Sequence, residues 1–119
     1  MEPQQRVRAF VDSREWEIEG RLKDLLLNIV EETGEAWNLI KWTGPEREGE
    51  LIEKSRAEFN DFVGDVLYLV MRVANTTGVD AMQALEETLD EYESRFPERE
   101  VKGKTANLRA GGVDHKYDP

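Results

Sequence analysis

The chain has 119 residues, which suits one compact domain, and it lacks cysteine, which excludes disulfides and thiolate metal sites. Sixteen Lys and Arg against 26 Asp and Glu give a net charge of −10, so nucleic acid is not an expected partner. The sequence shows neither an apolar run of about 20 residues that would span a bilayer nor a secretory signal pattern. We therefore expect a cytoplasmic protein with no membrane partner.

The apolar residues recur at helical spacing along most of the chain. The predicted helices are the segments at about 4–17, 21–42, from Glu46 or Leu51 to Asn75, and from Asp80 to Phe96. Gly78 is expected to end the third helix in the left-handed conformation. Asp80 is expected to cap the fourth helix, with Gln83 completing a capping box.

Residues 98–119 combine glycines with scattered charges, and this pattern predicts an irregular C-terminal tail. We therefore predict an all-α protein, with a four-helix bundle in residues 1–97 and an irregular tail in 98–119. A bundle of this size buries little apolar surface alone. We expect a second copy to supply the missing burial, giving a homodimer or a dimer of dimers.

Two groups of carboxylates carry the strongest chemical signal. Glu31, Glu32 and Glu35 fall on one flank of the second predicted helix. Like charges one helical turn apart repel each other by a few tenths of a kcal/mol, and a divalent cation would relieve that repulsion. Magnesium prefers oxygen ligands and uses only a few carboxylates, so these residues are candidate magnesium ligands.

The second group lies on the third predicted helix. Glu58, Asp61 and Asp65 are spaced i, i+3 and i+7, so they share one face. The only histidine, His115, is in the tail, which argues against zinc and against histidine-containing di-iron sites. The spacing thus predicts a hard oxygen site between two helices. An ordinary solvated acidic face is the alternative explanation of either group.

Several segments of the chain together resemble a known family, the MazG-like nucleotide pyrophosphohydrolases, and in particular the dCTP pyrophosphatase branch. They cover about residues 7–97 in the same order and at compatible spacing. The matching residues are Phe10, Arg14, Trp16, Leu25–Leu27, Glu31–Glu35, Lys41-Trp42, Gly64–Val70, Gly78–Asp80, Ala84 and Arg95–Pro97.

The resemblance implies the all-α nucleoside triphosphate pyrophosphatase fold and a Mg²⁺ cofactor, with Mn²⁺ as an acceptable substitute. The implied reaction cleaves a nucleoside triphosphate between its alpha and beta phosphates, releasing a nucleoside monophosphate and pyrophosphate, in a house-cleaning role. Carried over by motif, Glu32, Glu35 and Asp65 are the implied metal ligands. Glu31 or Glu32 is the implied acceptor of the proton from the attacking water.

The chain departs from the family pattern on the third predicted helix. Phe62 stands where the family has a glutamate three residues before Asp65. Asp61 is the neighbouring carboxylate on roughly the same face, and we expect it to replace that glutamate in part. A site with fewer ligands is the alternative.

The fourth predicted helix departs as well, since Thr88 and Tyr92 stand where the family has lysine and asparagine. Phosphate binding must then come from other cations. The candidates for substrate binding are Lys41, Lys54, Arg72 and Arg95 for the phosphates, and Trp42 and Trp16 for stacking on the base.

These departures leave two rival functions open. One is a catalytically impaired relative that binds a nucleotide or a protein partner, and the other is a purely structural helical protein with an acidic surface. Release of pyrophosphate with magnesium separates the enzyme from both rivals.

Overall fold

The computed structural model describes residues 2–16 and 21–119, and of Tyr117 only the backbone. Every regular element in these ranges is helical, which confirms the all-α prediction. The α-helices are α1 (Pro3–Asp12), α2 (Leu22–Ile40), α3 (Glu48–Lys54), α4 (Arg56–Thr77), α5 (Ala81–Arg95) and α6 (Glu98–Val101). Short 3-10 turns occur at Pro45–Arg47, Leu108–Ala110 and His115–Tyr117. None of the described helices is long and apolar enough to cross a bilayer.

The first helix is shorter than predicted, because α1 ends at Asp12 and is followed by a turn. The Ser13 hydroxyl donates to the Phe10 carbonyl, a local bond that competes with continuation of the helix. Glu15 then adopts a left-handed backbone with φ of 54°. Residue 17, the predicted end, lies outside the described residues.

The predicted third helix is in fact two helices, α3 and α4. Ser55 separates them with φ of −106° and ψ of 24°, outside the helical range, and is itself buried. At the other end, Gly78 has φ of 73°, so the predicted left-handed stop is confirmed. Helix α2 ends at Ile40, two residues before the predicted end, and Trp42 lies in the following turn.

The chain divides into two compact units, Met1–Ala81 and Met82–Pro119. In the first unit, α1, α2 and α3 all pack against α4. The fully or nearly buried apolar residues of this unit are Val11, Leu25, Leu69, Met71 and Ala74. This core is small, in agreement with the expectation of thin burial for a chain of this size.

The second unit contains α5 and the tail, which has short helical turns along an irregular course. Beyond α5 it contains α6 and two 3-10 turns, at Leu108–Ala110 and His115–Tyr117. Arg95, at the end of α5, binds Asp114 through two nitrogen–oxygen contacts of 3.1 and 2.9 Å. His115 contacts the carboxylates of Glu100 and Asp118. These ion pairs connect the end of the tail to α5 and α6.

Candidate active site

A cavity of about 290 Å³ lies along the groove between α2 and α4. Five carboxylates line it together with three apolar side chains. The lining residues are Glu32, Glu35, Ala36, Leu39, Glu58, Asp61, Phe62 and Asp65. All four predicted metal ligands, Glu32, Glu35, Asp61 and Asp65, are therefore brought together at one cavity.

The same helical spacing creates both walls of this cavity. On each helix the lining residues follow i, i+3, i+4 and i+7, beginning at Glu32 on α2 and at Glu58 on α4. Each wall thus presents a stripe about two turns long. The apolar members of the two stripes, among them Phe62, pack beside the acidic ones. Phe62 is half-buried here, whereas Asp61 beside it is exposed.

The cavity is electrostatically unbalanced. Among the described residues, none of its five carboxylates has a hydrogen-bond or ion-pair partner. The pKa of Glu32 is raised, first by partial burial and then by the negative charges of Glu35, Asp65 and Glu31. The negative charge of Glu32 is therefore destabilised in this cavity, and a bound cation would relieve that repulsion.

The donor set fits a hard divalent cation. Carboxylate oxygens are the ligands that Mg²⁺ and Mn²⁺ prefer, and no cationic side chain among the described residues lines the cavity beside them. In the observed side-chain arrangement of residues 2–16 and 21–119, no three acidic or histidine groups are gathered around one point. Rotation of the flexible glutamate side chains, Glu32 and Glu35, would be needed to close a coordination shell.

Several predicted site residues lie outside this cavity. Glu31 is exposed on α2 and is not among the lining residues. Trp42 and Lys54 line a separate cavity of about 410 Å³, formed by the connection between α2 and α4. The Trp42 side chain is 88% exposed, and the Lys41 ammonium lies 5.5 Å from the centre of its ring.

Trp16 lines a third cavity, of about 630 Å³, between α1 and α4. Its walls are Pro3, Arg6, Val7, Phe10, Trp16 and Tyr68. The Phe10 ring contacts both Trp16 and Tyr68 edge to face, with ring centres 5.7 and 6.0 Å apart. Arg72 follows one turn after Tyr68, with its guanidinium 5.9 Å from that ring. Its Nε is buried and has no hydrogen-bond partner in the described part of the chain.

Comparison with known proteins gives this arrangement a context. The family model of the MazG nucleotide pyrophosphohydrolase domain matches residues 21–100. The chain belongs to the MazG family. The matched range contains α2 to α5 and the whole acidic cavity, whereas α1 and the end of the tail lie outside it.

Curated relatives of this MazG domain are dCTP pyrophosphatases. The protein named dCTP pyrophosphatase 1 from Mus musculus is 31% identical over 90 residues, covering 74% of this chain and 53% of the relative. Those from Rattus norvegicus and Bos taurus are each 30% identical with the same coverage. The chain thus spans about half the length of these relatives.

A solved pyrophosphatase from Archaeoglobus fulgidus superposes with a TM-score of 0.70 at 24% identity, covering 78% of this chain and 87% of that one. The superposition shows that this chain and the Archaeoglobus fulgidus protein share a fold. Together with the family match, it supports an all-helical pyrophosphatase architecture.

Arg95 differs from the other predicted phosphate-binding residues of the MazG domain. It belongs to the second compact unit, where its guanidinium is already paired with Asp114 and Glu91. Its assignment to phosphate stays a prediction. Thr88 and Tyr92 belong to the same unit, and the Tyr92 ring contacts Phe96.

The predicted metal ligands did not include Glu58, which lines the acidic cavity. The predicted substrate-binding residues did not include Phe10 or Tyr68, which line the aromatic cavity. Glu58 carries the same-face spacing that singled out Asp61 and Asp65, so the sequence contained the signal for it. Phe10 and Tyr68 come together only because α1 packs along α4, and no local pattern indicates that contact.

Proposed function

We propose that this MazG domain is a Mg²⁺-dependent nucleoside triphosphate pyrophosphohydrolase that converts a (deoxy)nucleoside triphosphate to the monophosphate and pyrophosphate. The observation that carries the proposal is the cavity between α2 and α4, where five carboxylates face one another without partners among the described residues. An anionic substrate can enter such a cavity only with cations, which is the requirement of metal-assisted phosphate chemistry.

In this proposal Glu32, Glu35 and Asp65 hold the metal, with Asp61 taking part where the family has a glutamate in place of Phe62. Bound Mg²⁺, or Mn²⁺ in its place, supplies neutralisation of the phosphate charge and acidification of the attacking water. Glu32, Glu35 and Asp65 would hold the cation that a triphosphate needs in this acidic cavity. Phe62 contributes an apolar wall beside Asp61 and limits the number of ligands.

A glutamate of α2 takes the proton as water attacks one phosphorus of the alpha–beta anhydride and the bridging P–O bond breaks. Glu32 is favoured for this role over Glu31, because it lines the cavity and its pKa is raised by partial burial and neighbouring carboxylates. A raised pKa makes a carboxylate a better proton acceptor near neutral pH.

Recognition of the nucleoside is assigned to the aromatic cavity of Phe10, Trp16 and Tyr68. Tyr68 follows Asp65 by three residues on α4, a rise of about 4.5 Å along the helix axis. The aromatic and acidic cavities are thus neighbours along one helix. Arg72, one turn further on and beside the Tyr68 ring, is the proposed cation for the phosphates. The alternative binding surface consists of Trp42 and Lys54, which line one cavity, and Lys41, which lies beside the Trp42 ring.

Catalytic impairment is the second candidate function. Phe62 lines the cavity at a position where the family supplies a carboxylate, so the site has one family ligand fewer. A domain of this kind would bind nucleotide with magnesium but release no pyrophosphate.

A homodimer, or a dimer of dimers, is proposed from the apolar side chains that α2 and α4 leave exposed. These are Leu26, Leu27, Val30 and Trp37 on α2 and Val63, Leu67 and Val70 on α4, each between 41% and 65% exposed. An apolar surface of this extent favours burial against another chain. Sedimentation at micromolar concentration tests it, and a monomer would contradict the proposal.

The experiment for the enzymatic function is a nucleotide panel assayed for pyrophosphate. Canonical ribo- and deoxyribonucleoside triphosphates, dCTP included, are incubated with Mg²⁺, with Mn²⁺ and with EDTA. We expect pyrophosphate and monophosphate in equal amounts with either metal and none with EDTA. Nucleotide binding without pyrophosphate release would select the impaired domain instead.

A further inference from the structure

The side chain of Gln4, near the start of α1, bonds to three groups at the junction of α4 and α5. Its Nε2 donates to Asn75 Oδ1 at 3.1 Å and to the Val79 carbonyl at 2.7 Å. Its Oε1 accepts from the backbone N–H of Ala81 at 2.7 Å. Both hydrogens of the Gln4 amide and one acceptor position are therefore used.

Asn75 and Arg8 complete this arrangement. Asn75 Nδ2 donates to the Gln4 carbonyl at 3.3 Å, and Arg8 donates to the Asn75 carbonyl and to its Oδ1 at 3.4 and 3.3 Å. We call Gln4, Arg8 and Asn75, with the Val79 carbonyl and the Ala81 N–H, the Gln4 clamp. It ties α1 to residues more than 65 positions away in the sequence.

The clamp determines where α1 lies along α4. Helix α1 has only 10 residues, too few to be stable without tertiary contacts. Gln4 meets the end of α4, and Phe10 meets Tyr68 two turns earlier, so the two helices are antiparallel. Val11, which is 1% exposed, anchors the other end of α1.

Two anchors thus hold the helix that forms one wall of the aromatic cavity. Phe10 and Val7 belong to α1, and Trp16 follows it, whereas Tyr68 belongs to α4. A shift of α1 along α4 by one residue would move Phe10 by about 1.5 Å relative to Tyr68. That displacement is large compared with the tolerance of a stacking site for a planar ring.

We propose that Gln4 and Asn75 are positioning residues for nucleobase recognition, because they fix α1 so that Phe10 and Trp16 face Tyr68. This inference rests on the proposed function, since it concerns the base of the same triphosphate substrate. No residue of the clamp lines the aromatic cavity. The clamp also lies outside the acidic cavity, so its loss leaves the proposed metal ligands in place.

The test compares Gln4→Ala with Gln5→Ala in the full chain. Gln5 is the adjacent residue, is exposed, and has no side-chain hydrogen bond within the described residues. In Gln4→Ala we expect KM for the preferred triphosphate to rise about tenfold, which is about 1.4 kcal/mol, with kcat changed less than about twofold. Gln5→Ala should match the wild type.

Inorganic tripolyphosphate separates positioning from a general loss of structure. It carries the phosphates without a base, so its inhibition constant should be the same in Gln4→Ala and the wild type. Asn75→Asp keeps the oxygen that accepts from Gln4 and Arg8, and should therefore raise KM less than Asn75→Ala does. Thermal melting of each variant shows whether it is folded.

Equal KM values for Gln4→Ala and Gln5→Ala would overturn the inference, as would equal weakening of nucleotide and tripolyphosphate. Nucleotide binding is also followed by tryptophan fluorescence, which needs no turnover. If the wild type binds nucleotide but releases no pyrophosphate, the enzymatic proposal fails and the Kd values of the variants decide the inference. If the wild type binds no nucleotide, both are overturned.

Discussion

The chain contains two dense collections of charge that are arranged in opposite ways. In the cavity between α2 and α4, five carboxylates face one another without a cationic partner among the described residues. In the C-terminal unit, Arg95 pairs with Asp114, and His115 lies between Glu100 and Asp118. The first collection has a single sign, and the second alternates in sign.

The opposite charges of the C-terminal unit stabilise its structure. The like charges of the acidic cavity repel one another, and they are the charges that the proposed cation site requires. The alternating cluster holds the Asp114–Asp118 segment in place, and it holds the pKa of Asp114 down at about 2, through its hydrogen bonds from Arg95 and Lys116. In the acidic cavity the pKa shift has the opposite direction, since burial and the repulsion of neighbouring carboxylates raise the pKa of Glu32. Repulsion between the carboxylates lowers the stability of the folded chain, and binding of a cation in the proposed site would remove that cost.

The largest expected effect comes from removing one charge of the cavity. Glu35→Gln should lower kcat/KM at least about 100-fold, because a neutral amide is a poor magnesium ligand. Its thermal stability should equal or exceed that of the wild type, because like-charge repulsion is lost. Glu53→Gln on the exposed face of α3 is the matched control and should remain active. Full activity in Glu35→Gln would refute the metal assignment.

A smaller effect is expected from the position where this chain departs from its family. If Asp61 replaces the missing glutamate, Asp61→Asn should raise the magnesium concentration needed for half-maximal activity about tenfold, or about 1.4 kcal/mol of binding. Phe62→Glu should lower it. An unchanged magnesium titration in Asp61→Asn, with higher activity in Phe62→Glu, would show that the site is depleted and that Asp61 is a solvated acid.

Magnesium itself should stabilise the fold. At a concentration 100 times its Kd, a cation that binds only the folded state adds about 2.7 kcal/mol. For a chain of this size that corresponds to a rise in Tm of roughly 10 °C. Glu32→Gln should raise the metal-free Tm and reduce this shift, since it removes both the repulsion and a ligand. Equal magnesium shifts in Glu32→Gln and the wild type would argue against Glu32 as a ligand.

The smallest effect concerns pH and the alternating cluster. Contacts with Glu100 and then Asp118 raise the pKa of His115 from 6.5 to about 8. A raised folded pKa means that the stabilisation is complete below pH 6.5 and is lost as pH rises through about 8. Hydrogen exchange of the Asp118 amide, which donates to the His115 carbonyl, should therefore quicken over that interval beyond its ordinary pH dependence.

Because His115 is the only histidine, its imidazole NMR signal titrates without overlap. We expect a midpoint near 8 in the wild type and a lower one in Glu100→Gln. A midpoint near 6.5 in both would show that the imidazole is not held between carboxylates.

Much of the fold could be predicted from local pattern. The apolar spacing predicted the long helices, and Gly78 stops α4 because its left-handed backbone is tolerated best by glycine. The break at Ser55 was missed because the segments on both sides have the apolar spacing of a helix. Burial of a single serine does not change that spacing, so the sequence pattern does not indicate the break. The early end of α1 coincides with the hydrogen bond from the Ser13 hydroxyl to the Phe10 carbonyl, and the apolar spacing gives no indication of that bond.

The acidic cavity was predictable for the same reason as the helices. Carboxylates at helical spacing share a face whatever the tertiary structure, so two such faces were the natural walls of one site. The aromatic cavity and the Gln4 clamp were not predictable, because they join residues 58 to 77 positions apart. The ion pair of Arg95 with Asp114 was not predictable for a related reason, since these residues are 19 positions apart.

The break at Ser55 has a further consequence for the acidic cavity. Because the helix begins anew at Arg56, Glu58 lies in the first turn of α4, where the aligned peptide dipoles leave a partial positive charge. A continuous helix from Glu48 onward would place no such terminus there. The cavity therefore has a field gradient along its length, with its Glu58 end partly compensated and its Glu32–Asp65 end not. In the proposed metal site, a cation entering from solvent would therefore be attracted most strongly to the end of the cavity at Glu32 and Asp65.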